Sequence, residues 1–323
     1  MKKFITALGA LLFSVFAISF SSGAVYASSD SDTSSSIDDT TPVITLGTSL
    51  TDSQRDGTIS VLKSALSDSS SYNTLTVTGS DLVTYLNPSG DNFTNSSGVW
   101  SSAAIEKTSS GSGINVKILD YNGANNITTI TAAQYKNAAL TAGISDANIY
   151  VTSATPIDGS GALAGIYKAY AKSGNSLNQK QVTAAQDELD TLSGITQENK
   201  NKDGYSDAQL NNAVADAKKQ MAEKGSNITN NQISVIVNNV LKDNNLSNVI
   251  TDSQKQQIIN ILIEVRDSGA LNSNDFKSQA SKVMSSIQNN AKGIFSKLNT
   301  AENRNLLQKI WDAIVEFVNN LFN

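Results

Sequence analysis

ITAAQYKNAALTAGISDANIYVTSATPIDGSGALAGIYKAYAK, residues 130–172, sets a helix, a strand and a second helix almost end to end. Thr131 stands three residues before Gln134, the spacing at which a Thr hydroxyl and a Gln amide satisfy each other's backbone N–H groups at a helix start. NIYVTSA (148–154) is rich in β-branched residues and reads as a strand. GALAGIYKAYAK (161–172) then returns to helix.

Working outward, PVITLG (42–47) reads as a strand, and LTDSQ (50–54) opens a helix with Thr51 and Gln54 as its capping pair. TLTVTG (74–79) alternates as a strand, and SDLVTYL starts a short helix at Ser80. VWSSAAIEK and INVKILDY read as two strands joined by TSSGSG into a hairpin. From about Asn178 the chain is polar and helical, with helices expected near 180–193, 206–224, 230–242, 252–267, 273–290 and 303–322. The fold class is therefore α+β. A compact mixed domain over 42–172 is followed by an all-helical domain over 178–323, with the boundary near 173–177.

LTDSQ and ITAAQ lie 80 residues apart, and each is followed by Ser-Asp, then a Val-Thr strand, then a short helix. This pattern raises an internal duplication of residues 50–86 as 130–170. The full TDSQ at 251–254 has no strand after it and is read as helix capping alone.

The first residues address the compartment. Lys2 and Lys3 precede an apolar run over 4–20, and Val25-Tyr26-Ala27 offers small residues for cleavage, the layout of a secretory signal peptide over 1–27. Residues 28–41, SSDSDTSSSIDDTT, are too polar to bury a core and read as a disordered leader. Residues 1–27 hold two of the 24 basic residues and none of the 29 acidic ones, so cleavage would leave a net charge of −7. Such a charge disfavours nucleic acid and anionic lipid as partners. No later segment reaches the roughly 18 apolar residues of a spanning helix.

The chain has no Cys and no His. That removes a Cys nucleophile and a Ser–His–Asp triad, zinc held by Cys or His and His-ligated haem. No metal or cofactor is expected.

GSGALAG (159–165) resembles a phosphate-binding turn between strand and helix, which makes Gly159 and Gly161 anion-turn candidates. The spacing is GxGxxxG rather than GxGxxG, and close packing of small residues is the plainer reading. NKNKDGYSDAQL (199–210) has the outline of a calcium loop, but Leu210 stands where the bidentate Glu belongs. Glu106, Asp120, Asp146 and Asp158 are the acids available to a carboxylate hydrolase, and no spacing singles out a pair. No SxxK stands at a helix start; Ser281-Lys282 and Ser296-Lys297 are adjacent. LLQKIWDAIVEFVNNLFN (306–323) is amphipathic; packing on the other helices is the plainer reading, and Trp311, Ile314, Phe317, Val318 and Phe322 are the residues of a candidate docking surface. Its acidic polar face disfavours a membrane-surface role for residues 303–323.

ITLGTSLT, GSGINV (111–116), the block from Ile130 to Tyr170 and IWDAIVEF together resemble the YpuA-like family, a domain of unknown function from secreted proteins of Gram-positive bacteria. The resemblance implies a secreted or envelope-associated protein with an α+β front and a helical rear, and it implies no catalytic residues. The expectation is an exported, non-enzymatic binding or scaffolding protein whose partner is an envelope protein or wall component. The alternatives are a carboxylate hydrolase acting on envelope glycan, or a membrane-surface protein held by its last helix.

Overall fold

VITLG forms β1 (Val43–Gly47), and all five residues are buried, as expected of a strand covered on both faces. The structure, a computed structural model, describes residues 37–298. The expected signal segment 1–27, most of the expected leader, and Trp311, Ile314, Phe317, Val318 and Phe322 lie outside those residues.

Helix α1 (Asp52–Lys63) starts on a complete capping box: the Thr51 hydroxyl accepts from Gln54 N at 3.3 Å, and Gln54 Oε1 accepts from Thr51 N at 3.0 Å. Strand β2 (Asn73–Val77) and helix α2 (Gly79–Tyr85) follow. Strands β3 (Ser101–Lys107) and β4 (Ile114–Ile118) precede α3 (Ala132–Thr141), β5 (Ala147–Ser153) and α4 (Ser160–Lys172). The rest is helical: α5 (Gln179–Asn199), α6 (Asp207–Lys224), α7 (Asn230–Asp243), α8 (Asp252–Asp267), α9 (Phe276–Asn290) and α10 (Lys292–Leu298). The same Thr-x-x-Gln box caps α3, α7 and α8. TDSQ is thus local helix chemistry.

The sheet order is β2-β1-β3-β5-β4. β1 runs parallel to β2, and β4 parallel to β5, while β3 is antiparallel to both β1 and β5. The expected β3–β4 hairpin does not form, because β5 lies between the two strands. The reason sits at the foot of β5. Asp146, in the left-handed region at φ 49°, accepts from Gly113 N at 2.8 Å and Gly111 N at 3.0 Å. The connecting loop is therefore tied across the entry of β5, not folded back as a tight turn.

One sheet face carries Ile44, Leu46 and Ala104, and it is covered by Leu62 of α1 and by Leu66 in the turn that follows. The other carries Val43, Ala103, Ile105, Ile149, Val151, Ile114 and Val116, whose core continues through α3 and α4 to Ile287 in α9. The helix after β1 and the helix after β4 thus lie on opposite faces. The duplication of 50–86 as 130–170 is not sustained: the two connections step the same way along the sheet but cross it on different sides.

Helix α4 lies close on β1 and β3. A Cβ at Gly165 would stand 2.3 Å from Thr45 Oγ1, and one at Gly161 would stand 2.6 Å from Val99 Cγ1. Gly165→Ala is expected to cost about 2 kcal/mol by overpacking, read as a lower urea midpoint with an unchanged slope.

Candidate functional site

The sequence-nominated residues are distributed through the fold as follows. Gly159 has φ 113° and begins α4, but the turn already holds an anion of its own. The Asp158 carboxylate accepts from Ser160 N at 3.1 Å and from the Ser160 hydroxyl at 2.7 Å, and Ala162 N donates to Ser101 Oγ at 2.9 Å. Glu106 accepts from Ser67 N and the Ser67 hydroxyl, each at 3.0 Å, and from Asn148 Nδ2 at 3.2 Å. Asp146 also accepts from Gln279 Nε2 at 2.8 Å, which ties the β3–β4 loop to α9. These donors hold the Asp146 carboxyl below its ordinary range against the effect of burial. Asp120 is exposed. Asp146→Ala should cost about 2 kcal/mol, since it strands buried N–H donors and places a β-carbon residue without a polar side chain at positive φ. Asp146→Asn, which keeps an acceptor and tolerates that φ, should lose clearly less in the same urea titration.

The calcium-like loop is turned inward. Asn199 ends α5 with its amide on Ile195 O at 2.7 Å, and Leu210 is fully buried. Asp207 faces α3, accepting from the Thr131 hydroxyl at 2.8 Å, Gln134 Nε2 at 3.1 Å, the Thr196 hydroxyl at 3.1 Å and Asn211 Nδ2 at 2.9 Å. Burial pushes its carboxyl up, and these hydrogen bonds pull the other way. Among the described residues no group of three or more carboxylates converges as a metal site.

Asp207 belongs to a buried polar seam that sequence reasoning missed. Eight consecutive residues of α3, Gln134 to Thr141, are buried. Asn137 donates to Asn211 Oδ1 at 3.0 Å, and Lys218 Nζ donates to Asn137 O at 2.9 Å. Lys218 pairs with Glu188 at 2.5 Å, both side chains fully buried, and Glu188 accepts from the Thr141 hydroxyl at 2.6 Å. The ion pair and its hydrogen bonds join α3, α5 and α6.

A second array is acidic and half-solvated. Asp187 of α5 and Glu264 of α8 lie within hydrogen-bonding reach of each other. Burial, Glu264 and Asp190 together push the Asp187 carboxyl up to about 7. Gln186 Nε2 bridges Asp91 at 3.1 Å and Asp190 at 3.0 Å. Partial burial, with Asp91 opposite, raises Asp190 to about 6 although its outer edge meets solvent. Between α6 and α7, burial and Asp216 push Asp243 up to about 6. A shallow hollow between Asp39, Ile105, Lys107, Tyr170 and Asn175 has a volume of about 20 Å³, room for one water.

With this geometry in place, comparison with known proteins decides the kinship. A family model described as a protein of unknown function (DUF1002) matches residues 46–283. The chain belongs to the DUF1002 family. The match runs from within β1 to within α9, so both the sheet and the helices beyond Asn178 are part of the DUF1002 unit. The uncharacterized protein YpuA of Bacillus subtilis (strain 168) is 28% identical over 278 residues, covering 86% of this chain and 87% of that protein. The resemblance read from 111–116 and 130–170 is thereby confirmed. No solved structure matches this DUF1002 chain.

Proposed function

We propose that this DUF1002 chain is an exported, non-enzymatic binding or scaffolding protein of the cell envelope. The observation that supports the reading best is the use made of the front-half carboxylates. Glu106, Asp146 and Asp158 each accept hydrogen bonds from backbone N–H groups and from side chains, and so hold loops in place. A carboxylate occupied in that way makes a firm platform and a poor acid or base. Residues 1–27, with their basic start and apolar run, support export. The glycan-hydrolase alternative gains nothing from Asp187 and Glu264. Glycosidase acids stand roughly 5–9.5 Å apart, whereas these two are hydrogen-bonded to each other.

The test is a crosslinked pull-down of the tagged protein from its own envelope fraction, read by mass spectrometry for proteins and glycans. The reading expects one dominant envelope protein or wall component, and loss of that capture when residues 303–323 are deleted. Recovery of the protein in the cytosolic fraction with residues 1–27 uncleaved would end it.

A further inference from the structure

Lys136 of α3 is 1% exposed, and its Nζ lies 2.7 Å from Ser286 Oγ of α9. None of the ion pairs among the described residues includes it. This sets it apart from Lys218, which is fully buried too and which Glu188 neutralises. Burial without a counter-charge pulls the Lys136 amine down to about 8, so a share of it is neutral near neutral pH. The charged amine donates to the Ser286 hydroxyl; the neutral amine can accept the hydroxyl proton instead.

Ser286 also differs from its helix neighbours. The Ser281 hydroxyl donates to Lys277 O and the Ser285 hydroxyl to Ser281 O, each at 2.9 Å, the usual back-bond of a helical serine. The contact formed by the Ser286 hydroxyl is with the amine, and its residue is partly open to solvent. A shielded base beside an accessible hydroxyl is the arrangement by which a lysine activates a serine.

We propose that Ser286 is a nucleophile served by Lys136 as its base, and that it accepts the acyl group of an ester at the α3–α9 seam. Attack forms an Oγ–C bond and breaks the acyl C–O bond to the leaving alcohol. The hydroxyl proton passes to Lys136 Nζ and from there to the departing alkoxide. The product is a serine ester, one per molecule, so the step is a covalent loading and goes beyond the binding role without depending on it.

The probe is a fluorophosphonate, whose P–F bond breaks as Oγ–P forms, applied to the purified full chain and mapped by intact and peptide mass spectrometry. One adduct is expected, on Ser286, with Ser281 and Ser285 as unlabelled internal controls. Ser286→Ala should abolish it, and Lys136→Met should slow it by roughly 100-fold or more. If Lys136→Met does not fold, Lys136→Arg serves, because a guanidinium stays charged and cannot take the proton. The proposal is overturned by wild-type protein without an adduct at Ser286, by equal labelling of the three serines, or by a Lys136 variant that labels at the wild-type rate.

Discussion

Lys218→Met is expected to destabilise the protein by about 3–5 kcal/mol, the range for removing one member of a buried ion pair. Most of that cost arises from what remains. Glu188 would keep a fully buried carboxylate whose other oxygen still accepts from the Thr141 hydroxyl, and Asn137 O would lose the donor that Lys218 adds. Glu188→Gln should be damaging for the converse reason, since it leaves an unpaired ammonium among α3, α5 and α6. The double replacement Lys218→Met with Glu188→Leu removes both charges together. It should recover most of the loss, because well-packed apolar pairs can match a buried ion pair. Urea unfolding of the two singles and the double gives the coupling energy directly. Singles that each cost under about 1 kcal/mol would mean that water reaches the seam.

The second large effect concerns pH. Asp187 at about 7 and Asp190 and Asp243 at about 6 all hold their protons in the folded state to higher pH than an unfolded chain would. Glu264, Asp91 and Asp216 are raised as well. The sign follows from linkage. Where the folded state binds more protons, stability falls as pH rises, here between about pH 4 and pH 7. The protein should be more stable at pH 5 than at pH 8. These groups are only partly buried, so the difference is discounted for solvent screening to on the order of 3 kcal/mol. Asp146 acts oppositely, but its contribution is lost only below the ordinary carboxylate range. Asp187→Asn should raise the urea midpoint at pH 8 and flatten the profile. A midpoint that climbs from pH 5 to pH 8 would refute the assignment.

Local chemistry was legible before the fold was known. Thr51, Thr131 and Thr251 with their Gln partners mark three helix starts correctly, because a capping box is complete within four residues. Pairing was less legible. The segment 99–121 reads as a hairpin by proximity in sequence, and β5 intrudes through contacts that no local pattern encodes. The seam was hidden for a different reason. Lys136, Asn137 and Thr141 look like the solvated side of a helix, and only the packing of α5, α6 and α9 reveals them as interior. Asp187 and Glu264, or Lys136 and Ser286, are too far apart in the chain for any spacing rule to bring together.

The sheet also sets an order of events. β3 and β4 leave the ribosome before the strand that must sit between them, so β3 has only β1 beside it and β4 has no lasting neighbour until residue 153 has emerged. Pairings of such long sequence separation form slowly. A chain threaded from its N-terminus therefore keeps an open, unlatched centre for its first half. Closure of the sheet waits for β5, whose entry Asp146 fastens to the amides of Gly111 and Gly113.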